Sequence, residues 1–127
     1  MAKSRKKNSV SGDVAGTNDI PRSFKPVTDG FNYTRKEEMV PMRDGVKLFT
    51  LIMIPKDAAG KMPIILSRTP YNAGSRGSRT SSPDIAMALP AVDEALVRDG
   101  YIRVYQDIRG RNKSKGDYIM TMPTRGP

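Results

Sequence analysis

Two strand-like segments joined through one helical segment constrain the fold more than any other feature. The segments "MPIILSR" (62–68) and "YIRVYQDI" (101–108) are short runs rich in apolar residues, and "DIAMALPAVDEALVRDG" (84–100) between them has a helical pattern that Pro90 splits. Strands joined in this way run parallel, with a right-handed crossover. The nearly continuous apolar run at 62–68 is typical of a strand that is covered on both faces.

The second half of the helical segment has its own pattern. Val92, Ala95 and Leu96 fall on one face, which we expect to be the apolar face of the helix. Gly100 comes just after the expected end of the helix, where glycine is common.

A hairpin is predicted before these segments. "YTRKEEMVPM" (33–42) is expected to be an edge strand, because Pro41 cannot donate a ladder hydrogen bond. "RDG" (43–45) is a tight turn of the Asp-Gly type, and "VKLFTLIMIP" (46–55) is the second strand. The expected fold class is therefore α/β, with an antiparallel hairpin that leads into a parallel βαβ unit.

The last strand, 101–108, is expected to have one unpaired side, since no further element follows it. An apolar strand with a bare edge favours aggregation. We therefore interpret the chain as the front portion of a larger fold.

The amino-acid composition excludes several kinds of site. The 127 residues contain neither cysteine nor histidine, so disulfides, thiolate nucleophiles and cysteine-based zinc sites are ruled out. Without histidine, a Ser-His-Asp triad cannot be complete within the chain. We predict no cofactor and no metal site.

Residues 1–32 are predicted to form a basic flexible tail, because they contain few large apolar residues. The cluster Lys3, Arg5, Lys6 and Lys7 could contact nucleic acid or anionic lipid, but a solvated terminus is the expectation. The chain carries a net charge of +9 and has no run of about 18 apolar residues. No apolar signal-peptide region follows the basic start, so the default location is cytoplasmic, or periplasmic or secreted if the gene start is misplaced.

Several motifs in a fixed order carry a family resemblance. Taken together, "MVPMRDGVKLFTLIMIPK", "PIILSRTPYN" and "DGYIRVYQDIRGRNKSKGDYIMTMPTRGP" resemble the N-terminal part of the α-amino-acid ester hydrolases. The wider group includes X-Pro dipeptidyl-peptidase-like enzymes and cocaine esterase, all serine hydrolases. The resemblance implies that residues 33–127 are the N-terminal part of an α/β-hydrolase catalytic domain, whose serine, aspartate and histidine lie beyond residue 127.

The resemblance also implies a substrate and partners. It implies hydrolysis or acyl transfer on a small α-amino-acid ester or amide, or on an X-Pro peptide, with no nucleic-acid or membrane partner. It leaves homo-oligomerisation of the full-length parent open. The chain alone is expected to be inactive, because the G-x-S-x-G elbow is absent and "GSRG" (74–77) has a different spacing.

Tyr71 is the candidate catalytic residue. It follows the strand 62–68 directly, and Pro70 restricts Thr69 to extended conformations, so the phenol leaves the strand at a defined angle. The resemblance implies that the Tyr71 hydroxyl is one donor of the oxyanion hole. The alternative is that the ring packs as a wedge under the loop.

Other polar residues are assigned structural roles. Arg68 is expected to pair with a carboxylate at the sheet end, such as Asp107, while Asp107, Arg109 and Arg111 are expected to form an ion-pair and turn network around a bend at Gly110. The loop residues that are expected to have no catalytic role are Ser75, Ser78, Ser81 and Ser82. Tyr101 and Tyr105 are expected to be packing residues.

A different class of function stays open from the residues alone. A small basic protein could bind nucleic acid through "MAKSRKK", "GSRGSR" and "RGRNKSK", with tyrosines available for stacking. The basic groups do not share one helix face, which counts against this alternative.

Overall fold

A computed structural model of the chain describes residues 27–57 and 59–119. Four strands form one mixed sheet in the order β1-β2-β4-β3. The strands are β1 (Tyr33–Pro41), β2 (Lys47–Pro55), β3 (Ile64–Thr69) and β4 (Ile102–Asp107). No helix among the described residues is long and apolar enough to cross a membrane.

The predicted hairpin is confirmed. β1 and β2 pair antiparallel from Tyr33 opposite Pro55 to Pro41 opposite Lys47. The Asp-Gly turn closes the hairpin, and Gly45 has the positive φ of 80° that such a turn requires. β1 lies at one edge of the sheet, where the proline at its end costs no ladder bond.

The predicted position of the last strand is wrong. β4 is an inner strand, antiparallel to β2 on one side and parallel to β3 on the other. The second edge of the sheet is β3. Strand order is set by contacts that are distant in the sequence, so the order of the strands along the chain does not tell which of them lies at the edge.

β3 is also not covered on both faces by the described residues. Ile64 and Leu66 are 63% and 49% exposed, whereas Thr69 is buried. Successive side chains of a strand point to opposite faces, so one face of β3 packs on the protein and the other is open.

Short helical turns connect β3 to β4. They are α1 (Ala73–Arg76), α2 (Ile85–Ala88), a 3-10 turn (Ala91–Asp93) and α3 (Glu94–Arg98). The predicted break at Pro90 is confirmed, because the proline separates α2 from the 3-10 turn. The Asp84 side chain caps α2 by accepting the Ala86 N–H at 3.1 Å.

The predicted apolar helix face is wrong. Val92 is 86% exposed, whereas Asp93 and Val97 are buried. The segment changes from a 3-10 turn to an α-helix at Glu94, so a uniform 3.6-residue period does not describe it.

The core lies between one face of the sheet and these helical turns. Residues from β2 and β4 that share a face pack against small and branched residues from the connection between β3 and β4. The buried apolar cluster consists of Tyr33, Phe49, Leu51, Met53, Ala73, Ile85, Ala86, Ala88, Leu89, Val97 and Tyr105.

Residues 1–26 of the predicted tail lie outside the described residues. Phe31 and Asn32, at its end, contact the folded part: Phe31 packs against the core, and the Asn32 Oδ1 accepts the Ile85 N–H at 2.8 Å.

Candidate active site

Tyr71 lies on a turn immediately after β3, at the carboxyl end of the parallel strand pair. Its backbone N–H donates to the Thr69 Oγ1 at 3.0 Å, which makes the turn tight. The residue is 71% exposed, and its hydroxyl makes no hydrogen bond within the described residues. Its oxyanion role stays a prediction, but this exposure does not fit the alternative of a ring packed under the loop.

The turn is connected to the loop that follows β4. The Asp107 Oδ1 accepts the Ala73 N–H at 2.6 Å and the Asn112 Nδ2–H at 3.2 Å. The same Asn112 Nδ2 donates to the Pro70 carbonyl at 3.1 Å. Asp107 is 0% exposed. The ends of β3 and β4 are thus joined through one buried carboxylate.

The predicted pairing of Arg68 with Asp107 is wrong. Arg68 is opposite Gln106 in the parallel register, and its Nε donates to the Gln106 Oε1 at 3.0 Å. Asp107 is opposite Thr69, and its side chain is therefore on the other face of the sheet. Arg68 and Asp107 therefore lie on opposite faces of the sheet, where their side chains cannot form an ion pair.

The predicted network of Asp107, Arg109 and Arg111 is also wrong in its partners. Arg109 pairs with Asp44 of the hairpin turn at 2.7 Å. The Arg111 guanidinium lies over the Tyr118 ring, 4.8 Å from its centroid. Asp107 makes no salt bridge within the described parts of the chain, because backbone and amide N–H groups occupy its carboxylate.

The bend at Gly110 is confirmed. Its φ is 70°, and a Cβ atom there would lie 2.2 Å from the backbone nitrogen of Tyr118. Only glycine combines this conformation with such a close approach of two chain segments.

The serines after β3 take part in local hydrogen bonds. The Ser75 Oγ donates to the Asn72 carbonyl at 2.8 Å, and the Ser82 Oγ accepts the Asp84 N–H at 3.1 Å. The Ser78 Oγ donates to the Gly74 carbonyl at 3.3 Å. These contacts stabilise the connection between β3 and β4.

The helical turn α1 and the residue that supports it were not predicted from the sequence. Arg35 on β1 donates from Nη1 to the Gly77 carbonyl at 3.0 Å and from Nη2 to the Gly74 carbonyl at 3.3 Å. These are carbonyls at the end of α1 that the helix leaves unpaired. The cue in the sequence was weak, since a charged residue on an edge strand is commonly solvated.

A buried polar cluster under the same connection was also missed. Arg103 pairs with Asp93 at 2.9 Å, with both side chains less than 8% exposed, and donates to the Ser67 Oγ at 2.9 Å. The Tyr105 hydroxyl donates to the other Asp93 oxygen. Burial, and then this hydrogen bond, raise the pKa of Tyr105. Tyr105 packs in the core, as predicted.

No metal site is found among residues 27–57 and 59–119. These ranges contain no group of three or more carboxylate, histidine or cysteine side chains that could hold an ion.

A protein-family model described as X-Pro dipeptidyl-peptidase (S15 family) matches residues 44–126. The cocaine esterase of Rhodococcus sp. (strain MB1 Bresler) is 34% identical over 93 residues, which are 73% of this chain and 15% of that protein.

Two solved structures are similar in fold and sequence. An aminopeptidase from a marine sediment archaeon, Thaumarchaeota archaeon, is 50% identical with a TM-score of 0.77, over 86% of this chain and 18% of the other. An α-amino acid ester hydrolase labelled with selenomethionine is 46% identical, also with a TM-score of 0.77, over 92% of this chain and 19% of the other. The chain thus spans less than one fifth of the length of these relatives.

Proposed function

The chain belongs to the X-Pro dipeptidyl-peptidase (S15) family of hydrolases, and from this we propose that it is the N-terminal part of a serine hydrolase acting on α-amino-acid esters or amides. The chain has no histidine. In the proposal, the nucleophile, its base and the third triad residue are therefore supplied by the remainder of the protein.

Tyr71 is the proposed contribution of this chain to catalysis. When a serine attacks an ester or amide, the carbonyl oxygen becomes negatively charged, and a donor placed beside that oxygen stabilises the transition state. A phenol hydroxyl can donate a hydrogen bond. The observation that carries the proposal is the exposed Tyr71 at the carboxyl end of β3, where α/β sheets bind ligands, with a hydroxyl that has no hydrogen-bond partner among residues 27–57 and 59–119.

The edge position and the exposed face of β3 support the proposal that the chain is part of a larger protein. β3 is an edge strand, and Ile64 and Leu66 on it are exposed among the described residues. A sheet edge is normally paired or covered, and an apolar face such as that of Ile64 and Leu66 is normally packed against another layer. In the proposal, the rest of the sheet continues from β3, so the nucleophile would enter beside the Tyr71 turn.

The names of the relatives favour an α-amino acyl group as the acyl donor. One solved relative is an aminopeptidase and the other an α-amino acid ester hydrolase. Both names indicate substrates with an amino group next to the reacting carbonyl. An X-Pro dipeptidyl-peptidase reaction is the second candidate, and the description of the family model favours it.

The described residues do not favour the nucleic-acid alternative. In the segments named for it, Arg109 and Lys113 pair with carboxylates, and the Arg79 guanidinium donates to the Leu89 carbonyl at 3.5 Å. The basic cluster near residue 5 lies outside the described part of the chain.

Labelling with a fluorophosphonate tests the proposal, because an activated serine displaces the fluoride and becomes covalently phosphonylated. We expect the full-length protein to be labelled and to hydrolyse an α-amino-acid methyl ester, and the 127-residue chain to do neither. An X-Pro anilide assayed in parallel distinguishes the two substrate candidates. A full-length protein that is neither labelled nor active on either substrate contradicts the proposal.

A further inference from the structure

We propose that Asp107 and Asn112 are positioning residues that hold the turn carrying Tyr71, and that they keep its hydroxyl at the point where the oxyanion forms. We call the two residues the clamp. The inference rests on the proposed role of Tyr71 and concerns how the fold fixes this side chain.

The clamp holds the chain on both sides of Tyr71. The Pro70 carbonyl, immediately before it, accepts from the Asn112 Nδ2 at 3.1 Å. The Ala73 N–H, two residues after it, donates to the Asp107 Oδ1 at 2.6 Å. The Asn112 Nδ2 also donates to that carboxylate oxygen at 3.2 Å. The two anchors therefore act as one unit.

The Tyr71 side chain does not fix its own position. The residue is 71% exposed, so packing restrains its side chain little. Asn72, the next residue, has a φ of 51° in the left-handed region, so the chain turns sharply directly after Tyr71. Because an oxyanion donor must lie about 2.7–3.1 Å from the developing charge, the backbone anchors determine whether the phenol is in range.

The surroundings of Asp107 indicate what this buried carboxylate is for. It is fully buried and has no salt bridge within the described residues, which is a costly arrangement for a charged group. Its side chain accepts instead from three donors: Ala73 of the turn after β3, and the Asn112 amide and the Lys113 N–H of the loop after β4, the last at 3.3 Å. The Ala73 contact joins the turn after β3 to the end of β4. The other two contacts hold the loop after β4 against the same carboxylate.

The conformation of Asn112 allows a selective variant. Its φ of 49° is one that glycine adopts freely. Asn112→Gly therefore keeps the backbone and removes only the amide that binds Pro70 and Asp107. Asp107→Asn keeps the size of the side chain but replaces the charged carboxylate by a neutral amide. The hydrogen bonds from Ala73 and Asn112 then lose their charge assistance, and the NH₂ group cannot accept from the Lys113 N–H.

A double-mutant cycle in the full-length protein tests the clamp. We would measure kcat and KM on an α-amino-acid ester for Asp107→Asn and for Asn112→Gly, each with and without Tyr71→Phe. With Tyr71 present, each variant is expected to lower kcat roughly 10- to 100-fold with little change in KM, as for a small displacement of a catalytic group. With Tyr71→Phe, the additional loss should be several-fold smaller, since the donor is already absent.

Asp93→Asn is the matched control. Asp93 is also a buried carboxylate, but it binds Arg103 and Tyr105 and makes no hydrogen bond to the turn of Tyr71. Asp93→Asn should reduce the stability of the protein. Any change in kcat that it causes should be the same factor with and without Tyr71→Phe. Asn112→Gly keeps the test valid if Asp107→Asn does not fold.

The outcomes separate the inference from the function on which it rests. If Tyr71→Phe lowers kcat but the clamp variants cost the same factor in both backgrounds, the clamp is overturned and the oxyanion role stands. If Tyr71→Phe alone leaves kcat unchanged, the oxyanion role is overturned, and the clamp with it.

Discussion

Thr69 and Asp107 are opposite each other at the last position of the parallel register between β3 and β4. The Ile108 N–H donates to the Thr69 carbonyl at 3.1 Å, which extends the pairing by one further bond. The two segments that follow, one with Tyr71 and the other with Asn112, therefore leave the sheet side by side. The register of two strands thus determines the geometry of the candidate site.

The bend at Gly110 leads to a prediction about the loop that carries Asn112. Gly110→Ala should destabilise the chain by clearly more than the roughly 1–2 kcal/mol that a left-handed alanine costs, because its Cβ would lie 2.2 Å from the Tyr118 nitrogen. Urea unfolding followed by circular dichroism measures the change.

Gly60→Ala is the control for that substitution. Gly60 has a similar φ of 80°, but a Cβ there meets nothing within 4 Å. It should show only the conformational cost. Equal losses for the two variants would mean that the close approach at Gly110 contributes nothing.

The buried pair of Arg103 and Asp93 predicts a large difference between two arginines. Arg103→Met should reduce the free energy of unfolding by roughly 3–5 kcal/mol, because it leaves Asp93 buried without its cation. Arg98→Met removes an arginine whose side chain is 55% exposed and should have a much smaller effect. Urea midpoints for the two variants that agree within error would refute this account of the core.

The raised pKa of Tyr105 predicts a loss of stability in alkali. In the folded chain the phenol stays protonated above the pH at which an unfolded tyrosine, with a pKa of about 10, loses its proton. The unfolded state then binds fewer protons, so stability falls as the pH rises through 10. The free energy of unfolding at pH 9, 10 and 11 should decline more steeply for the wild type than for Tyr105→Phe. Parallel curves would be inconsistent with the buried hydrogen bond to Asp93.

The hairpin could be predicted because its signals are local. The residues at 46–55 favour a strand by themselves, and the Asp-Gly turn fixes the register of the pair. The break at Pro90 was predictable for the same reason, since proline acts on its own backbone.

The position of β4 and the buried helix face could not be predicted in this way. Whether β4 pairs with β2 depends on contacts about 50 residues apart, such as Thr50 with Gln106. Asp93, and not Val92, is buried because Arg103 on β4 provides a partner for its carboxylate. A hydrophobicity pattern treats an aspartate as a solvent-facing residue and has no information about that partner.

In the candidate site, too, the features with local signals were predictable and the contacts between distant segments were not. The place of Tyr71 directly after β3 was predictable because a proline and a strand end define it. Its catalytic role comes from the family resemblance and stays a prediction. The partners of Asp107 were missed because they are backbone and amide N–H groups, which any residue type can offer.

The kcat of the Tyr71→Phe variant of the full-length protein tests the central claim most directly. The substitution removes one hydroxyl from an exposed ring, so the free energy of unfolding should not change. If the phenol stabilises the oxyanion, kcat on an α-amino-acid ester falls roughly 10²- to 10³-fold while KM changes little. A folded variant with wild-type kcat would contradict the account.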